Sequence, residues 1–354
     1  MIIVFYSPIT KISGGIIVMK KYAEFLVDKG HQVYVIAGGK ENKEFIESGV
    51  IYRYFNKKLN NYVGNFLFLL PYINEFYKNT PHCDVIIPIF FPLVIHALYT
   101  KKMKKCKKII SLFQDVKEMY WFGKYIYFLL GRKFIHNNID DIIAISTPIA
   151  KEIEKYSSFK PIVIKNSIDK EYFYNRELEK ENYILFVGSS SAIKGLHFFL
   201  ETFYLLKKDF PYLKAKIVSN TNTTSYSTDE YVEYINIKND KNELAKIYSK
   251  AIVFVSQSLA DSFGLPPLEA MASGTAVVLT NTVGAKEYAK NGKNCFVVSI
   301  KDPVESAKKV KILLKNRTLR ESIEKDGLKT VKKYDWNISC EKFRKLIEKD
   351  LWIH

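Results

Sequence analysis

The chain has 354 residues, of which 47% are hydrophobic and 26% charged, and it carries a net charge of +17. That length suits two domains of ~150 residues each, and the composition excludes a chain that stays disordered over long stretches. The basic balance favours an anionic partner (a nucleotide, a nucleic acid or an acidic membrane surface), although a compositional bias toward Lys, Asn, Ile and Tyr would raise the charge with no partner at all.

Met1 leads straight into Ile2-Ile3-Val4-Phe5-Tyr6, a short apolar run bounded by Ser7-Pro8 that reads as a buried strand. It carries no basic leader and no small-residue cleavage site, which points to a cytoplasmic chain. A loop with Ser13-Gly14-Gly15 follows. Val18, Tyr22, Phe25 and Leu26 then recur at helical spacing over 16–29, and Gly30 offers a helix stop. Residues 32–37 form the next strand, closed by Gly38-Gly39. Strand, helix and strand in such quick succession make a βαβ unit and predict a parallel sheet. Further strands are expected at 84–88, 108–113, 141–145 and 161–165, with helices over 64–77 and 119–134. The longest apolar run, 85–98, is interrupted by Pro88, Pro92 and His96 and is shorter than the ~20 residues of a membrane helix. His96 within it suits a core position. The polar stretch 166–181 reads as an interdomain linker.

The pattern restarts with Tyr183-Ile184-Leu185-Phe186-Val187, a buried strand ending at Gly188. Lys194-Gly195 opens a helix to about 208. Strands are expected at 213–219, 234–238, 251–256, 276–280 and 295–299. Helices are expected over 243–250, 266–273, 303–315, 319–333 and 336–352. The fold class is therefore α/β: two tandem Rossmann-like, doubly wound domains, 1–168 and 169–335, with 336–354 as a closing helix. Four scattered cysteines, Cys83, Cys106, Cys295 and Cys340, form no C-x-x-C pair and argue against a zinc site or a disulfide framework.

The strongest chemical signal is Asp261-Ser262-Phe263-Gly264-Leu265-Pro266-Pro267-Leu268-Glu269. It reads as a strand end, a glycine turn and a helix opened by prolines, which suit a first helical turn. A helix N-terminus below a glycine loop presents N–H groups to an anion. The two carboxylates flank that turn at the carboxyl end of the sheet, where ligands sit in open α/β folds. A carboxylate there can accept from two sugar hydroxyls.

With these residues the chain resembles the retaining glycosyltransferases of family 4, which have the two-domain GT-B fold. Their signature is a Glu, seven residues and a second Glu, with Phe-Gly-Leu-Pro between. Here Glu269 is the second, and Asp261 stands at the first, one methylene shorter. The resemblance implies that Glu269 holds the nucleotide ribose and Asp261 the transferred sugar, with Phe263, Gly264 and Leu265 between them at the donor. Ile184–Gly188 followed by Lys194-Gly195-Leu196 resembles the family's glycine loop and Lys-Gly element, which clamps the donor diphosphate. Gly188 and Lys194 are kept, whereas Ser189 stands where the family usually has Arg. Ser13-Gly14-Gly15 matches the glycine-rich loop after the first strand, so Gly14 and Gly15 are implied to approach the donor phosphate. Gln114-Asp115 stands where a His and an acid are usual, leaving Asp115 as an acceptor-side carboxylate. Lys165-Asn166-Ser167-Ile168-Asp169 and Val283-Gly284-Ala285-Lys286-Glu287 match elements read as structural. The family also implies that 336–354 returns to the first domain.

What the resemblance implies is transfer of a sugar from a nucleoside diphosphate sugar to a hydroxyl of a glycan or lipid-linked glycan, with retention. The nucleotide sugar is a donor substrate, so no cofactor is expected. No Asp-x-Asp pair stands out, Asp140-Asp141 being the polar lead-in to a strand, so no metal ligand is expected either. The Asp261, Ser189 and Gln114 departures leave open a catalytically silent binding subunit of a transferase complex. A sugar-nucleotide epimerase of the same fold is a further alternative, and a nucleic-acid binder rests on charge alone. The lysine run at 101, 102, 104, 105, 107 and 108 and the aromatic tract 120–128 would suit peripheral contact with an anionic inner membrane face. A solvated charge run and a core aromatic stripe account for them equally.

Overall fold

Short aliphatic runs between polar turns pair side by side in two parallel sheets, one in each of two units. The computed structural model describes residues 1–8, 14–39, 48–55, 72–114, 138–156, 160–219, 229–238 and 240–349. One unit comprises Met1–Asn166 and Trp336–His354, the other Ser167–Asp335.

In the first unit the strands are β1 (Ile2–Ser7), β2 (Gln32–Gly38), β3 (Ile51–Phe55), β4 (Cys83–Pro88), β5 (Cys106–Phe113), β6 (Asp141–Ala144) and β7 (Ile162–Val163). Their spatial order is β3-β2-β1-β4-β5-β6-β7, all pairs parallel. A parallel sheet is covered on both faces, so its central strands are apolar without alternation; Ile3 to Tyr6 of β1 are all fully buried. Helix α1 (Gly14–Asp28) buries Val18, Met19, Tyr22, Ala23 and Leu26, a stripe at helical spacing. Gly30 beyond it has φ 83°, the left-handed region open to glycine.

Three elements of this unit escaped the sequence reading. Strand β3 is an edge strand with only Phe55 buried, so it lacks the apolar run that marks its neighbours. Helix α3 (Val94–Lys102), after the short α2 (Ile73–Asn79), shares one apolar run with β4, because strand and covering helix are both buried. Pro88 ends the strand, and a turn at Phe91–Leu93 separates the two. Helix α4 (Thr147–Tyr156) had a legible start: the Ser146 hydroxyl accepts from the Ile149 amide at 3.3 Å, and Pro148 stands in the first turn. The expected strand at 161–165 is only Ile162–Val163. The expected helices over 64–77 and 119–134 lie wholly or largely outside the described residues, as does the aromatic tract 120–128.

Helix α10 (Trp336–Glu348) belongs to this first unit. Phe343 stacks on Tyr22 of α1 with ring centroids 4.0 Å apart, and Trp336 meets the same ring edge-on at 5.7 Å. His31 and Glu348 pair at 2.9 Å, and the Ser339 hydroxyl donates to Lys165 O at 2.7 Å. Among the described residues no helix is long and apolar enough to cross a membrane.

The second unit repeats the plan with β8 (Glu181–Val187), β9 (Lys214–Val218), β10 (Val232–Ile235), β11 (Ala251–Ser256), β12 (Ala276–Thr280) and β13 (Phe296–Val298), in the order β10-β9-β8-β11-β12-β13. Its helices are α5 (Leu196–Lys207), α6 (Lys241–Lys250), α7 (Leu265–Ala272), α8 (Pro303–Lys315) and α9 (Arg317–Val331). Phe186, Phe199, Phe203, Val253 and Val278 lie in one core between sheet and helices. Strand β10 ends earlier than its apolar residues suggest, because the Asn236 side chain accepts from the Lys238 amide at 3.0 Å and turns the chain.

Candidate functional site

In each sheet the order of strands reverses once, between β1 and β4 in the first unit and between β8 and β11 in the second. Loops leaving two such strands diverge to opposite faces and open a crevice at their carboxyl ends. In the second unit those two loops carry the residues singled out above. The loop after β8 holds Gly188, Ser189 and Lys194; the loop after β11 holds Asp261 to Leu265.

The two loops meet. Lys194 Nζ lies 3.1 Å from Asp261 Oδ2, with both side chains partly exposed. Such a pair contributes only about 0–1 kcal/mol, so an incoming anion and a sugar hydroxyl could replace it at little cost. Lys194 ends a single 3-10 turn, Ala192–Lys194, that the backbone locks from both sides. Ile193 O accepts from the Leu259 amide at 2.8 Å, and Gly195 has φ 70°. A Cβ on Gly195 would lie 2.0 Å from Gln257 O, so only glycine lets the two loops touch. Ser189 is exposed and Gly188 is partly buried beside them.

The Asp261 loop is held from below. Gly284 donates to Asp261 O at 2.8 Å, and a Cβ on Gly284 would fall 2.4 Å from the Phe263 amide nitrogen. Tyr288 donates its hydroxyl to Gly264 O at 2.8 Å, and Gly264 caps α7 with φ 81°. Phe263 packs among Tyr288 and Tyr334. This clamp explains the Gly284 turn, which the sequence marked only by resemblance. Tyr288 carried no signal, since its partner is 24 residues away. One expectation narrows: Pro266 and Pro267 have no N–H, so the mouth of α7 can offer donors from Phe263, Gly264 and Leu265 but not from the two residues that follow.

Glu269 sits one turn into α7. Tyr248, fully buried on α6, donates to its Oε2 at 3.2 Å. The residue as a whole is only half-buried, yet burial of its carboxyl pushes the pKa up to about 7, with the Tyr248 hydroxyl opposing. Asp169 pushes the same way, and Lys241, which pairs with Asp169 at 2.6 Å, opposes. A carboxyl shifted by burial beside specific partners is a functional-site candidate. Sequence reading missed Tyr248 and Lys241 and took Asp169 as structural; the α6 residues come from a separate helix.

In the first unit, Gln114 at the end of β5 is buried and donates through Nε2 to Gly15 O at 3.1 Å. A Cβ on Gly15 would meet its Oε1 at 2.8 Å, whereas Gly14 has nothing within 4 Å. Gln114 therefore braces the start of α1. Asp115 lies outside the described residues. His96 is fully buried, edge-on to Phe76. The lysine run is largely tied down at the amino end of the sheet: Lys101 pairs with Asp140 and Lys107 with Asp84, each at 2.7 Å, and Lys108 pairs with Asp141 at 3.2 Å. Lys105 donates to Tyr77 O and Thr80 O. Lys102 and Lys104 stay exposed there. Among the described residues no three His, Cys, Asp or Glu side chains are grouped to hold a metal ion.

Comparison with known proteins agrees with this geometry. The family profile "Glycosyl transferases group 1" matches residues 167–330, and "Glycosyltransferase Family 4" matches 12–172. The O-antigen chain mannosyltransferase RfbU of Salmonella typhimurium is 31% identical over 50% of this chain and 53% of its own length. The chain thus spans about half the length of that relative. The capsular polysaccharide biosynthesis glycosyltransferase CapM of Staphylococcus aureus is 25% identical over 90% of both chains. The crystal structure of Anabaena HepE in complex with UDP and glucose shares the fold, with a TM-score of 0.81 and 14% identity over 99% of this chain and 100% of that one.

Proposed function

The chain belongs to the group 1 and family 4 glycosyltransferases, and from that premise we propose that it transfers a hexose-like sugar from a nucleoside diphosphate sugar to a hydroxyl of a growing or lipid-linked glycan, with retention. The observation that carries this reading is the meeting of Lys194 and Asp261 at the switch point of the second sheet, with Glu269 on the short helix that follows the Asp261 loop. Glu269 would accept from the ribose hydroxyls. Lys194 would leave Asp261 for the diphosphate, helped by Gly188 and Ser189, and neutralise the leaving group. Asp261, released, would accept from a hydroxyl of the sugar beside Phe263, Gly264 and Leu265. The bond from the anomeric carbon to phosphate breaks while the bond to the acceptor oxygen forms on the same face. The acceptor proton passes to the departing phosphate oxygen, so no protein base is required. RfbU and CapM, both named for surface polysaccharide assembly, support a glycan acceptor.

Asp261→Ala tests the assignment. A hydrogen bond to a charged group contributes roughly 1.5–3 kcal/mol, and 1.4 kcal/mol is about tenfold in rate. Turnover should fall by about ten- to a hundredfold while affinity for the free nucleoside diphosphate hardly changes. Loss of nucleotide affinity with turnover kept would mean that the two carboxylates have exchanged roles. A wild-type chain that neither transfers nor hydrolyses any nucleotide sugar would point to a silent binding subunit instead. Transfer should also survive excess EDTA, since Lys194 and backbone dipoles do the neutralising; full loss restored by Mg²⁺ or Mn²⁺ would refute this.

A further inference from the structure

At the amino end of the first sheet, two cysteines face each other. Cys83 opens β4, Cys106 opens β5, and they are direct register partners in adjacent parallel strands. We propose that Cys83 and Cys106 are a redox modification site, which small disulfides of the glutathione class convert to a reversible cross-strand disulfide.

Neighbouring strands lie about 4.7–4.9 Å apart, and disulfides span Cα separations of about 4.4–6.8 Å. Register partners also point to the same face of the sheet, so closure needs side-chain rotation and a small approach of two strand ends rather than refolding. Both thiols donate to backbone carbonyls, Cys83 Sγ to Lys105 O at 3.5 Å and Cys106 Sγ to Lys108 O at 3.0 Å. Their mutual influence holds the Cys106 thiol below its ordinary range and Cys83 above it, and the Lys101 charge also favours the Cys106 thiolate. The thiolate is the attacking form, so Cys106 is the nucleophile and Cys83 the resolving thiol. Both sit at strand ends with 6% and 7% of their surface exposed, whereas Cys295 is fully buried and Cys340 is 3% exposed. Burial also holds the Cys295 thiol up, at about 12.

The exchange balances. The Cys106 thiolate attacks one sulfur of oxidised glutathione, and the glutathione disulfide breaks, releasing one reduced glutathione. Cys83 then attacks Cys106 Sγ, the Cys106–glutathione disulfide breaks, and the second glutathione leaves as a thiolate that takes up the proton Cys83 gave up. Two cysteines are oxidised and one small disulfide is reduced.

The test is to incubate the native full-length chain in buffers of graded oxidised-to-reduced glutathione ratio, quench with acid, and count thiols by alkylation and peptide mass. Two of the four thiols should disappear together, in a Cys83–Cys106 crosslink that the reduced buffer reverses. Cys83→Ser should stop at a single glutathione adduct on Cys106, and Cys106→Ser should form no crosslink. Four free thiols at every ratio, a bond or adduct on Cys295 or Cys340, or reaction only after denaturant is added would each overturn the proposal. None of these readouts depends on sugar transfer.

Discussion

Replacing Glu269 with glutamine should weaken nucleotide binding by about ten- to a hundredfold and, in the same chain, raise stability above pH 7. The affinity loss follows from exchanging a charge-assisted acceptor for an amide: roughly 1.5–3 kcal/mol, with each 1.4 kcal/mol about tenfold in Kd. The stability gain has the opposite origin. Burial raises the Glu269 carboxyl from 4.5 to about 7, ahead of the opposing Tyr248 hydroxyl. Between those two pH values the folded chain holds a proton that the unfolded chain has lost. Stability therefore falls as pH rises through that window, and the penalty is complete above about 7. Glutamine never ionises, so the variant should escape a penalty on the order of 3 kcal/mol at pH 8 and gain nothing at pH 4. Thermal unfolding at the two pH values reads the sign directly. For the wild-type chain, titration calorimetry should find nucleotide affinity about tenfold weaker at pH 6 than at pH 8, since the ionised fraction changes by about that factor across a pKa near 7. Equal affinity at both would show that the carboxylate is not the acceptor.

Gly195→Ala should be among the most damaging small substitutions in the second unit. The added methyl meets a backbone carbonyl, Gln257 O, at 2.0 Å, which no side-chain rotation can relieve. It also meets a φ of 70°, costing an L-residue roughly 1–2 kcal/mol. Either the β11 loop moves away or the 3-10 turn carrying Lys194 does. A loss of about 3–5 kcal/mol is expected, lowering the melting temperature by at least about 6 °C at 2–4 °C per kcal/mol. Gly188→Ala is the control: its Cβ would meet the rim of the Phe186 ring at 3.1 Å, which calls for a displacement of only a few tenths of an ångström. A Gly195→Ala chain as stable as wild type would mean that the loops are not packed as described.

What was legible in the sequence follows from local chemistry. Buried parallel strands read as continuous apolar runs, and glycine and proline punctuate them, so β1, β2, β8, β11 and β12 were found almost to the residue. Elements that broke that pattern were lost. The edge strand β3 is half exposed, and α3 begins inside the same apolar run as the strand before it. The spacing from Asp261 to Glu269 marked the proposed donor loop because loop, cap and helix are contiguous in the chain. Lysines 101–108 looked like a basic surface, since their partners Asp84, Asp140 and Asp141 arrive on neighbouring strands.

The sequence by itself determined two α/β units and the glycine-proline loop with its pair of carboxylates, because each is encoded by residues near one another along the chain. Only the tertiary structure decided that Lys194 reaches Asp261 across 67 residues, that Tyr288 and Gly284 clamp the loop, and that burial raises the Glu269 carboxyl against the opposing Tyr248 hydroxyl. The reason is physical: hydrogen bonds, collisions and desolvation act over a few ångströms of space, and strand order sets which distant loops share that space.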